Sequence, residues 1–176
     1  MKKRIFAALL CVIMLFGMLP ITALALEPKT IYVDATYGND KNDGLHEDRP
    51  YATVVEAVKA AKSGDTIQLG EGNYTLYGVD STGHTEGKDL TFVGQGVDKT
   101  AWNIGALVPD PANYGTEYNG DYSFDGAGTV TFQNMTLRSG KTDYLGFIRA
   151  DKTVVENCTI NGKTFYWGYT SATFTD

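Results

Sequence analysis

An all-β fold, a parallel β-helix closed at its N-terminal end by one α-helix, is what this 176-residue sequence predicts. Three observations carry the prediction. Short runs of alternating apolar residues recur at a near-constant step, a turn former follows most of them at a fixed distance, and a single amphipathic helix precedes the first.

The chain opens with a segment that does not belong to the fold. Lys2-Lys3-Arg4 is a basic start, Ile5 to Leu19 an apolar stretch of 15 residues, Pro20 a breaker, and Ala23-Leu24-Ala25 an A-x-A cleavage signal. This is the layout of a secretory signal peptide over residues 1–25, and 15 apolar residues are short for a membrane span. The expected location is extracellular or at the cell surface, with no membrane attachment after cleavage. Cleavage leaves residues 26–176 as one module of net charge -9, against -6 for the whole chain. That charge, with a pI near 4.9, excludes a basic nucleic-acid binder. Cys11 leaves with the signal, so Cys158 has no partner for an intrachain disulfide. Aligned with Met135, it reads as a small buried hydrophobe.

Next come Ile31-Tyr32-Val33-Asp34, a strand, and a turn-rich stretch with Gly38-Asn39-Asp40 and Asp43-Gly44. Residues 39–44 resemble a calcium loop at first sight. The EF-hand spacing, however, demands an oxygen ligand where Gly44 stands and a Glu where Tyr51 stands, so an Asx/Gly turn explains them better. Thr53-Val54-Val55-Glu56 is a capping box. Val54, Ala57, Val58 and Ala61 then keep helical spacing on one face, and Gly64 ends the helix. Its apolar stripe is expected to cover the first coil, since an open solenoid end exposes core and strand edges.

The rungs follow as Ile67-Gln68-Leu69, Leu90-Thr91-Phe92, Val130-Thr131-Phe132, Thr153-Val154-Val155 and Ala172-Thr173-Phe174. Residues two apart on a strand face the same side. Taking Leu69, Phe92, Phe132, Val155 and Phe174 as one column gives steps of 23, 40, 23 and 19 residues. The long step holds an insertion from Ala106 to Tyr122, broken by Pro109, Pro111, Gly115 and Gly120. Two residues beyond each anchor from the second onward stand Gly94, Asn134, Asn157 and Asp176, after which alternation resumes on the other parity (Met135-Thr136-Leu137, Cys158-Thr159-Ile160). Phe124, Phe147 and Tyr166 mark a third column. Strand, bend and strand repeated with like over like is one coil of a parallel β-helix, its rungs about 4.8 Å apart. Stacked Asn134 and Asn157 amides are expected to bond from coil to coil. Asn73, Asn134 and Asn157 also fit the N-x-T glycan-acceptor pattern, but the last two fall on the structural period.

From Ile31 through the turn, Arg49-Pro50-Tyr51-Ala52-Thr53, the helix, Gly64-Asp65-Thr66-Ile67-Gln68-Leu69 and Gly72-Asn73-Tyr74, the chain resembles the N-terminal end of pectate-lyase-like right-handed β-helix proteins. About 45 residues carry the likeness closely, and it implies a right-handed coil. It implies no single activity, because that superfamily includes lyases, hydrolases, epimerases, tail spikes and adhesins.

Two functions compete. A uronate lyase needs a cation to neutralise the substrate carboxylate and a basic residue to take the C5 proton. The catalytic candidates are Arg138, Lys141 and Arg149, with Asp143 and Asp151 as metal candidates and Lys152 nearby; a solvated charged face explains the same residues. No repeating triple of acids accompanies them, so no cofactor is required and calcium is the one the acidic composition admits. A binding scaffold instead needs aromatic faces beside polar groups. Tyr114, Tyr118 and Tyr122 in the acidic insertion, with Trp167 and Tyr169 beyond it, are the candidate contacts for an extracellular polysaccharide. His46 and His84 are isolated, and Gly94-Gln95-Gly96 is a bend with no helix behind it. Ala172 and Phe174 are set to support another coil, so further coils, as the front piece of a longer protein would have, or a partner chain are expected at that end. The expected function is a polysaccharide-binding or surface-adhesion scaffold, with the N-terminal part of a calcium-dependent polysaccharide lyase as the alternative.

Overall fold

The computed structural model describes residues 27–76, 83–104, 124–139, 148–162 and 168–176. The signal segment, Phe147, Tyr166 and the whole insertion from Ala106 to Tyr122 lie outside them. The described elements form an all-β parallel solenoid with one short helix. The strands are β1 (Thr30–Val33), β2 (Thr66–Leu69), β3 (Gly72–Tyr74), β4 (Leu90–Val93), β5 (Thr100–Ile104), β6 (Thr129–Gln133), β7 (Thr136–Ser139), β8 (Lys152–Glu156), β9 (Thr159–Asn161) and β10 (Ser171–Thr175), with helix α1 (Val54–Ala60) after β1.

Every pairing is parallel. One sheet runs β1-β2-β4-β6-β8-β10 and the other β3-β5-β7-β9. From β2 to β9 each coil therefore contributes a strand to the first sheet, bends, and contributes one to the second. The interior is filled by the inward half of each alternation: Ile67, Phe92, Phe132 and Val155 from the first sheet, and Tyr74, Trp102 and Leu137 from the second, all buried. Phe92, Trp102, Phe124 and Phe132 meet as one aromatic group, with ring centroids 4.9–6.1 Å apart and mostly edge-to-face, the geometry aromatic quadrupoles favour.

The expected column holds from Phe92 through Phe132, Val155 and Phe174, which are register partners in turn. Leu69 does not belong to it. Ile67 is the partner of Phe92, while Leu69 pairs back with Val33, so the first step is two residues longer than the chosen anchor implied. β1 adds a rung ahead of the helix, making six in the first sheet. At about 4.8 Å per step this stack is about 24 Å long.

Helix α1 starts as its sequence dictates. Thr53 caps it by accepting from the Glu56 amide, and Val54, Ala57, Val58 and Ala61 are buried. Asp40 holds the entry, its Oδ1 accepting from the amides of Ala52 and Thr53, both at 2.9 Å. At the other end Lys88 Nζ donates to the Val58 carbonyl at 2.9 Å, a cation on the negative end of the helix dipole.

The bend between the sheets is built differently from the expected amide ladder. Asn134 and Asn157 have left-handed backbone, φ 55° and 50°, and their side chains are exposed. Coil-to-coil bonding there is carried by the backbone: Gly94 N to Gln133 O, Asn134 N to Glu156 O and Asn157 N to Thr175 O. Among the described residues no hydrogen bond joins the two amides. Asparagine stands here because it tolerates this conformation better than other residues bearing a Cβ.

Candidate functional site

The segments that lead into the first sheet form a laddered corner of their own. Gly128 N donates to Lys88 O, Asp151 N to Ala127 O, and Tyr169 N to Ala150 O. Phe124, Ala127, Ile148 and Ala150 are buried in it, so Asp125 and Arg149 between them reach outward. Because successive coils stack here, Asp125, Arg149 and Tyr169, far apart in sequence, come together on one outer surface.

Arg149 Nε donates to the Tyr169 hydroxyl at 2.9 Å, and its guanidinium carbon lies 5.9 Å from the ring centroid. The same hydroxyl donates to Asp125 Oδ1 at 3.3 Å, and Arg149 Nε stands 3.6 Å from that oxygen. Tyr169 is 54% exposed. Beside it the Thr170 hydroxyl bonds to Asp151 Oδ1. The group combines an exposed aromatic ring, a cation held against it and carboxylates within reach. An exposed ion pair of this kind contributes little to stability, so fold energetics alone do not account for it.

Of the sequence candidates, Arg149, Tyr169 and Asp151 are thus brought together. Arg138 is not with them. It sits on β7 in the second sheet, where its Nε donates to Asn103 Oδ1 at 2.8 Å and its Nη2 to Asn73 Oδ1. Lys141, Asp143, Tyr114, Tyr118, Tyr122 and Trp167 lie outside the described residues. Asp125 was missed by sequence reading because it falls in a turn with no alternation around it. Its place on the period, ahead of the buried Ala127, was the available signal.

The turn at residues 39–44 is occupied by backbone bonding. Asn39 Oδ1 accepts from the Lys41 amide, Asp43 Oδ1 from the Leu45 amide, and Asn42 Nδ2 donates to Pro50 O. The first two are the bonds of Asx turns, and the third ties the turn to the segment that leads into the helix. Among the described residues no group of three His, Cys, Asp or Glu stands close enough to hold a metal ion. Cys158 is half-buried, its thiol donating to the carbonyls of Phe132 and Glu156. Burial pushes that thiol above its ordinary range, opposite to what activates a nucleophile. No helix of the described residues is long and apolar enough to cross a membrane.

A protein family described as "Protein of unknown function (DUF1565)" matches residues 36–83. The match spans the Asx turns, helix α1 and the strands β2 and β3, and the family is one associated with β-helix proteins. No curated protein matches the chain.

Proposed function

We propose that this protein is a secreted, right-handed parallel β-helix of pectate-lyase-like type that serves as an extracellular polysaccharide-binding or surface-adhesion scaffold. The observation that carries the reading is the Asp125–Arg149–Tyr169 surface. One side of the Tyr169 ring is taken by Arg149, and the ring remains more than half exposed, so an apolar sugar face can stack on it. Asp125 and the Arg149 guanidinium stand at the ring's rim, polar groups of the kind that recognise sugar hydroxyls or a carboxylate. The stacked coils hold these groups on laddered backbone, and such preorganisation lowers the entropic cost of binding. Arg149 is engaged by a hydroxyl and a carboxylate, the oxygen ligands that a guanidinium is shaped to hold. That makes it a ligand-holding group more readily than a base, and favours binding over lyase chemistry.

Retention on immobilised glycans, polygalacturonate among them, tests the proposal. Tyr169→Ala and Arg149→Gln should each lower retention of the secreted chain about tenfold, the effect of one lost stacking or charged contact of about 1.4 kcal/mol. Unchanged retention in both variants would remove this surface from consideration. Accumulation of unsaturated uronate absorbance from polygalacturonate with calcium would instead make the protein a lyase.

A further inference from the structure

The outer face of the second sheet carries a different arrangement. Its outward residues run in two rows, Asn73, Ala101, Thr136 and Thr159 in one, and Asn103, Arg138 and Asn161 in the next. Arg138 lies across this face instead of projecting from it. From β7 its guanidinium reaches Asn103 on β5 and then Asn73 on β3. Ala101, between Asn73 and Thr136 in register, has only a methyl group and leaves room for the passage.

The hydrogen-bond inventory of this cluster is one-sided. Both asparagines accept from Arg138 through their carbonyl oxygens, so the part of each side chain left for a ligand is an amide NH2, a donor. A guanidinium has five N–H groups, of which two are used here, so three remain. Among the described residues, none of the ion pairs involves Arg138. A positive charge fixed in direction, unpaired by any described carboxylate and flanked by donors, is complementary to an oxyanion.

We infer that Arg138, Asn103 and Asn73 form a second binding site, specific for the oxyanion substituent of an acidic glycan, a carboxylate or a sulfate ester. The site deepens the glycan-binding reading given above by naming the class of sugar. The chain's net charge of -6 opposes such a ligand at long range. That field is screened beyond about 8 Å at physiological ionic strength, so recognition rests on the short-range fork of donors.

Titration calorimetry of the intact chain tests the assignment, with four probes: a galacturonate oligomer, its methyl ester, a sulfated dextran oligomer and plain dextran. The galacturonate or sulfated probe should bind, and its uncharged counterpart should bind at least tenfold more weakly. Whichever charged probe binds better identifies the natural substituent. Arg138→Gln should weaken the charged probe about ten- to hundredfold, the range for losing a charge-assisted hydrogen-bonded contact. Arg138→Lys should lose most of this too, since an ammonium keeps the charge but not the fork. Asn103→Ala keeps the arginine and its charge yet should cost severalfold, which a simple charge effect would not. Thermal melting of each variant reports its fold. If Arg138 only ties coils together, Arg138→Gln lowers the melting temperature while every isotherm stays unchanged, and the inference is overturned. Absence of binding by both charged probes overturns it as well. Loss of binding in Tyr169→Ala with none in Arg138→Gln leaves the Tyr169 surface standing and removes this site; the reverse pattern keeps this site and removes the other.

Discussion

The bend after each first-sheet strand offers a stringent test of what asparagine does in this coil. At Asn134 and Asn157 φ is 55° and 50°, a region costing an ordinary L-residue roughly 1–2 kcal/mol. Asparagine escapes part of that cost, so Asn134→Ala or Asn157→Ala should destabilise by about 1 kcal/mol. Glycine escapes nearly all of it, and its extra freedom in the unfolded chain costs roughly 0.5–1 kcal/mol in return. Asn134→Gly should therefore fall within about 0.5 kcal/mol of the parent. The stacked position Gly94 behaves oppositely. A Cβ there would stand 2.5 Å from Asn134 O and 2.9 Å from both Met135 Cβ and Thr100 Cβ. Two of those neighbours belong to the next coil, so Gly94→Ala must push coils apart, at about 1–3 kcal/mol or more. Urea unfolding followed by circular dichroism, at constant m-value, gives all three numbers. If glycine at 134 and 157 is as damaging as alanine, the amide side chain is what matters and the backbone account is wrong.

Two further predictions concern single buried groups. Burial pushes the Tyr74 hydroxyl above its ordinary pKa near 10, with its backbone bond to Ala35 opposing the shift. Above pH 10 the unfolded chain then gives up this proton before the folded chain does, so stability should be intact below pH 10 and fall as pH rises beyond it. Tyr74→Phe should flatten that alkaline slope in a pH series of unfolding curves; an unaltered slope would assign it elsewhere. Thr153 occupies the core column between Val130 and Ala172, and its buried hydroxyl has no hydrogen-bond partner. Thr153→Val removes an unsatisfied group at constant shape and should stabilise by about 1 kcal/mol, read as a higher urea midpoint. A lower midpoint would contradict the packing described.

Much of the architecture was legible because the solenoid repeats its local rules. Phe92, Phe132, Val155 and Phe174 could be aligned from alternation alone, and Thr53 and Glu56 announced the helix. Leu69 was misassigned for a physical reason. Ile67 and Leu69 are equally good inward residues of one strand, and only the partner strand decides which of them meets Phe92. Strand β5 escaped notice although Trp102 is among the largest buried side chains. One inward aromatic flanked by Ala101 and Asn103 shows too short an alternation to register. The surface groups were harder still. Arg149 and Tyr169 are visible as residue types, but their meeting with Asp125 depends on how coils of unequal length stack. The convergence of Asn73, Asn103 and Arg138 likewise depends on register across three strands. Asn73 in isolation reads as a glycan acceptor.

Beyond β2 the steps between rungs vary widely, and most of the excess length enters at the same place, after a second-sheet strand and before the return to the first sheet. The bend joining the two sheets stays tight in the later coils, only residues 134–135 between β6 and β7 and 157–158 between β8 and β9. Such a plan separates what must stay constant from what is free to diverge. Segments of new length and chemistry can be grafted along a single flank without disturbing the winding, so loops exchanged between related coils would be expected to transplant recognition while leaving the spool beneath them unchanged.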